Sequence, residues 1–153
     1  MIKKIGLFVL TLIILNNCGY KPIYSKKNYN FEIKNIEMLG ETKINKLLSN
    51  KLKVYKNNPE AENTLNMIIN SQSFKTTITK DKKGNPTQFS MSINVDVKII
   101  DDSNNQTETT FSENSTYDNS NNKFDLRKYE DNLIKNMSEK IFSEITLFIQ
   151  TKN

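Results

Sequence analysis

The chain has no histidine, no tryptophan and a single cysteine among 153 residues, and these absences close several chemical routes. Without His or a second thiol it cannot assemble a Cys/His zinc site, a Ser-His-Asp triad or a Cys-His pair. A carboxylate pair or a Ser-Lys dyad stays formally open. The acids, however, are scattered over expected helix surfaces and strand ends, where such groups are solvated. There are only four glycines, not grouped as a phosphate-cradling loop requires. One cysteine permits no internal disulfide, so packing alone must hold the fold. The expectation is a protein that is not an enzyme and carries no cofactor or metal. Nor does any dense Arg/Lys stripe interleave with aromatics, so no nucleic acid is expected as a partner.

What is present begins at the N-terminus. Residues 5–18, Ile-Gly-Leu-Phe-Val-Leu-Thr-Leu-Ile-Ile-Leu-Asn-Asn-Cys, form an uncharged, mostly apolar run behind Lys3 and Lys4. Its apolar core from Leu7 to Leu15 fits a secretory h-region of about 7–15 residues and is too short for the roughly 20 residues of a spanning helix. Cys18 follows directly, with Leu15 three residues before it, which looks like a bacterial lipobox. In that motif the thiol takes a diacylglycerol, with fatty chains such as palmitate, and cleavage makes the cysteine residue one. Asn17 stands where a small residue is usual. The segment 1–17 is therefore expected to be a lipoprotein signal peptide, with Cys18 as the lipidation site. Its removal lowers the formal charge from +5 to +3, because Lys3 and Lys4 leave with it. That mild excess aids contact with anionic lipid.

Residues 18–30 include Pro22 and lack sustained periodicity, so they are expected to be a lipidated tether. The 31–153 segment is long enough for one domain with a real core. Phe31, Ile33, Ile36 and Met38 predict a strand, and the skipped step between Ile33 and Ile36 predicts a bulge. Ile44, Leu47, Leu48, Leu52 and Tyr55 recur three and four apart, predicting a helix over 41–56 that stops before Pro59. Leu65, Met67 and Ile69 open a long strand that runs to Ile78, ending at the tip Lys-Asp-Lys-Lys-Gly-Asn-Pro. Phe89 to Ile99 alternates without a miss against polar residues, with one face core and the other wet. A polar turn at 101–106 leads to a Thr-rich strand over 107–117. Asn122 is placed to cap a last helix, with Asp125 three residues on. Leu126, Tyr129, Leu133, Met137, Ile141, Ile145 and Phe148 form its stripe, widened by Ile134, Phe142 and Leu147. The expected fold is α+β: a two-layer sandwich, strand-helix-three strands-helix, with two helices on one face of a mostly antiparallel four-stranded sheet.

Cys18-Gly19-Tyr20-Lys21-Pro22-Ile23-Tyr24 and the order of elements through residue 149 together resemble the LptE family. So do Gly84 to Ile100, Thr107 to Tyr117 and the last helix with Glu130. This family supplies the outer-membrane lipoprotein partner of the LptD β-barrel. The last helix departs from many relatives in its scarcity of Ala and Arg. The resemblance implies a non-catalytic subunit that plugs a large outer-membrane β-barrel and helps lipopolysaccharide reach the outer leaflet. It would be lipid-anchored in the outer membrane and face the periplasm. Gly19, rather than an acidic residue, follows the bacterial rule for outer-membrane sorting. A generic lipid-anchored interaction module and a lipid carrier are the alternatives. An enclosed cavity would favour the carrier, whereas a filled core with one polar exposed sheet face would favour the plug.

Lys80, Lys82 and Lys83, beside Thr77 and Thr79 at the tip, are the candidate ligand-binding residues for lipopolysaccharide or the barrel wall. Ammonium groups on flexible stems suit phosphorylated lipids. Arg127 and Lys128 at the start of the last helix are weaker candidates.

Overall fold

A computed structural model describes residues 29–152. The expected signal peptide, Cys18 and the tether as far as residue 28 lie outside the described residues. The elements are β1 (Phe31–Gly40), α1 (Thr42–Leu52) with a short 3-10 turn at Lys53–Tyr55, β2 (Asn63–Lys80), β3 (Pro86–Asp101), β4 (Gln106–Asp118) and α2 (Lys123–Lys152). The sheet order is β1-β2-β3-β4, so each strand lies beside its neighbour in sequence. β2-β3 and β3-β4 are antiparallel hairpins, while β1 runs parallel to β2, with α1 as the crossover that parallel pairing requires. The fold is thus the expected α+β sandwich with one parallel pair. Its bulge falls where the sequence pattern skips, between Ile33 and Asn35.

Both helices cover the same face. Phe31, Ile33, Leu65, Met67, Ile69, Ile93, Val95 and Val97 from the sheet meet Ile44, Leu48 and Leu52 of α1 and Ile141, Ile145 and Ile149 of α2, all at 1% exposure or less. α1 and α2 run side by side in the same direction. Lys43 pairs with Asp131, and Lys51 with Glu139 at 3.4 Å, so each helix advances by eight residues between the two ion pairs.

Three local outcomes refine the sequence reading. The α-helix ends at Leu52 rather than 56, and the chain tightens so that Tyr55 stacks on Phe31 (5.3 Å) and meets Tyr29 edge-on (4.6 Å). The Tyr29 hydroxyl donates to the Val54 carbonyl at 2.6 Å, which ties the start of β1 to this turn. Asn57, at φ 57, completes the reversal. Asn122 caps α2 as expected: its Oδ1 accepts from the Phe124 and Asp125 amides at 3.0 and 3.3 Å. Leu147, in contrast, is 62% exposed. At 100° per residue it lies nearly opposite Ile145, and Ile149 fills the core in its place.

A polar network joins β1, α1 and β2. Asn45, buried, donates to the Leu39 carbonyl at 3.0 Å and accepts from Ser71 Oγ at 2.7 Å. The Glu41 amide donates to the Ser71 carbonyl at 2.9 Å. Gly40 makes this approach possible. It has φ +87, and a Cβ there would lie 2.0 Å from the Ser71 oxygen.

Candidate functional site

Strand lengths create a projection. β1 stops opposite Ser71, and β4 ends opposite Gln88. The last nine residues of β2, Gln72–Lys80, therefore have only β3 beside them among the described residues, and the tip lies beyond both neighbours. Asn119 steadies the base, its amide donating to the Thr87 carbonyl at 2.8 Å and its side chain to the Pro86 carbonyl at 2.7 Å.

The tip is rigidly built. Asp81 accepts from the amides of Lys83 and Asn85, both at 2.8 Å, and from the Asn85 side chain at 3.0 Å. Gly84 takes the left-handed conformation at φ +85. These bonds, led by those from Asn85, hold the Asp81 carboxyl below its usual range. The β3-β4 turn repeats the device with Asp101, Asn105 and a left-handed Asn104, at φ 63. Asp-x-x-Gly/Asn-Asn is thus a five-residue hairpin signature used twice, recognisable in the sequence once the two turns are laid side by side. Lys82 and Lys83 stand on this frame, with Lys80 at the end of β2; all three are exposed, and none is in an ion pair among the described residues. Thr79 shares a hydroxyl-hydroxyl bond with Thr87 at 2.6 Å, and Thr77 pairs with Phe89. Arg127 and Lys128 are exposed on the first turns of α2, a separate element from the tip.

A clamp at the hairpin's foot escaped sequence reasoning. Lys75 Nζ lies 4.0 Å from the centre of the Phe89 ring and 2.5 Å from Glu130 Oε1 on α2. The same carboxylate oxygen accepts from the Tyr117 hydroxyl at 2.7 Å. Burial acts to raise the Glu130 pKa, but the hydrogen bonds from Lys75 and Tyr117 prevail and hold it below its usual value. Burial and the adjoining Glu130 push the Tyr117 phenol well up. Beside the clamp, an open groove of about 610 Å³ runs past Gln88, Asp118, Asn119, Asp125 and Tyr129. One signal was available in the sequence. Lys75 has the inward parity of Leu65, Met67 and Ile69, so a charge there needed a partner.

Among the described residues, no helix covers the sheet's second face. It presents mainly amides and hydroxyls that bond to one another across strands: Asn35 to Asn66 at 2.9 Å, Asn114 to Ser92 at 2.8 Å, and Thr110 to Asp96 at 2.7 Å.

No protein-family model and no curated protein sequence matches the chain. Solved structures do. The fold is one found in bacterial lipoproteins. Rare lipoprotein B from Shewanella oneidensis superimposes with a TM-score of 0.53 at 9% identity, covering 74% of this chain and 95% of that one. The solution structure of an uncharacterized lipoprotein B from Nitrosomonas europaea gives 0.53 at 11% identity, over 78% and 84%. A minor lipoprotein from Acinetobacter baumannii gives 0.51 at 15%, over 78% and 92%. At such identities the likeness is one of backbone architecture. It carries no side-chain role across to this chain.

Proposed function

We propose that this chain is a non-enzymatic outer-membrane lipoprotein of the LptE kind, anchored through Cys18 and facing the periplasm. It would assemble with and plug an LptD-like β-barrel that inserts lipopolysaccharide into the outer leaflet. The observation that carries the reading is a filled two-layer core joined to a mainly polar sheet face that no helix among the described residues covers, in a fold shared with bacterial lipoproteins. A carrier would need space between its layers, and here that space is occupied by side chains such as Met67, Ile93 and Ile141. Two further features support it. The lipobox resemblance at Cys18 would hold the domain at a membrane, where each buried methylene of an acyl chain contributes about 0.8 kcal/mol. The lysines of the tip, in no ion pair among the described residues, offer point charges to phosphorylated lipid.

The test is purification of the tagged chain from detergent-solubilised outer membrane. A stable complex with a large β-barrel is the expected result, and its absence would leave a generic lipid-anchored module. The ligand role has its own test: replacing Lys80, Lys82 and Lys83 together by Ser should weaken lipopolysaccharide binding most at low salt. Unchanged binding removes the tip from the proposal.

A further inference from the structure

The free side of β2 differs from the other open edges of the sheet. Natural edges are guarded by outward charges, bulges or proline, because unpaired backbone groups invite another strand. β1 has its bulge between Ile33 and Asn35, with Glu32, Lys34 and Glu37 along the strand. β4 carries Glu108, whose side chain stays 69% exposed beside Lys98. On β2 from Gln72 to Thr77 the one charged residue, Lys75, is drawn inward onto Glu130 and Phe89. The strand's register shifts begin beyond Thr77, between Thr77 and Thr79 and again between Thr79 and Lys80. Gln72 to Thr77 is therefore a six-residue, regular, unguarded edge, about the length of an average strand. Phe74 stands there 49% exposed, opposite Ser92, an aromatic on the uncovered face that Ile68 and Leu39 also share.

Charge selects the guest and its direction. Towards the tip lie Lys80, Lys82 and Lys83, in no ion pair among the described residues; at the other end Glu41 engages Ser73. An antiparallel strand, the slightly more stable pairing, would enter with its N-terminal end at the lysines and leave with its C-terminal end near Glu41. We propose that the β2 edge from Gln72 to Thr77 accepts an extended, antiparallel polypeptide segment from a partner protein, acidic in its N-terminal half, with alternate apolar side chains laid against Phe74. Main-chain bonds supply affinity, and the lysines and Phe74 supply direction and register. The inference concerns the domain alone and does not depend on a barrel partner.

The probe is the blocked heptapeptide Asp-Glu-Val-Thr-Val-Thr-Lys, added to the full chain in detergent and followed by calorimetry and residue-resolved amide exchange. We expect exchange at 72–77 to slow at least about tenfold. A charge-reversed peptide, Lys-Lys-Val-Thr-Val-Thr-Glu, should bind about tenfold more weakly at low salt, with the gap narrowing as salt rises. Phe74→Ser, a change at an exposed site that leaves the core intact, should weaken the acidic peptide several-fold. The proposal is overturned if neither peptide protects 72–77, if protection falls on β1 or β4, or if both peptides bind alike. It also falls if the chain alone self-associates with these amides already protected.

Discussion

Two glycines with the same backbone angle should respond very differently to a methyl group. Gly40 and Gly84 sit at φ +87 and +85. Any L-residue placed there meets the left-handed penalty of about 1–2 kcal/mol. At Gly84 nothing lies within 4 Å of the added Cβ, so Gly84→Ala should cost that amount and no more. At Gly40 the Cβ would sit 2.0 Å from the Ser71 carbonyl oxygen and 3.0 Å from its carbon, both backbone atoms held in the sheet. Relief requires the end of β1 to withdraw. This breaks the Glu41 amide bond to Ser71 and loosens the Asn45 bond to the Leu39 carbonyl, leaving buried polar groups unsatisfied at about 1–3 kcal/mol. Gly40→Ala should therefore cost roughly 2–5 kcal/mol, a large share of the roughly 5–15 kcal/mol that holds a typical domain together. Gly84→Asn should be milder than Gly84→Ala, because Asn104 already occupies the same place in the other hairpin at φ 63. Urea unfolding followed by circular dichroism measures all three. Equal losses at the two glycines, or a greater loss at Gly84, would refute the argument from close approach.

Other perturbations test the packing and the clamp. Ile141→Ala, at a fully buried site, should lower stability by about 2–5 kcal/mol, while Leu147→Ala on the exposed side of α2 should stay within about 0.5 kcal/mol in the same unfolding assay. Ser71→Ala removes the donor to buried Asn45 Oδ1 and should cost about 1–3 kcal/mol, read as a fall in the urea midpoint with unchanged slope. The depressed Glu130 pKa contributes stability that is present above the ordinary value of 4.5 and is lost as pH falls through the lower folded value. Glu130→Gln should flatten that acid limb in a pH series of melting temperatures. The raised Tyr117 pKa acts in the opposite range: its stability is present below 10.0 and fades as pH climbs above it, and Tyr117→Phe should remove this alkaline dependence.

Much of the fold is written locally. The alternation from Phe89 to Ile99, the skipped step in β1 and the Asn122 cap each translate into a matching element, because a period or a side-chain bond is settled within a few residues. Strand order was not legible in this way. Nothing in Phe31–Gly40 states that β1 pairs parallel to β2; that follows from where α1 must lie to bury Ile44, Leu48 and Leu52. The stripe of α2 was largely readable as far as Ile145 but not in its last turns, since Leu147 and Ile149 are equally apolar and only the position of the sheet decides between them. Of the site, the lysines of the tip were visible because turn residues enclose them. The Lys75-Glu130 clamp was not, because its partners are 55 residues apart.

The order of strands in the sheet also bears on how the chain reaches its fold. Because β1, β2, β3 and β4 follow one another in space as in sequence, two of the three pairings close through five-residue turns, and each turn is fixed by its own aspartate. Hairpins of this kind form within about 1–10 μs, whereas contacts between remote segments bear a larger loop-closure entropy. The remote segment here is α2, whose Asp131 meets Lys43 across 88 residues. The sheet can thus assemble progressively as the chain is released, and the arrival of the last helix seals the hydrophobic face and makes the transition cooperative.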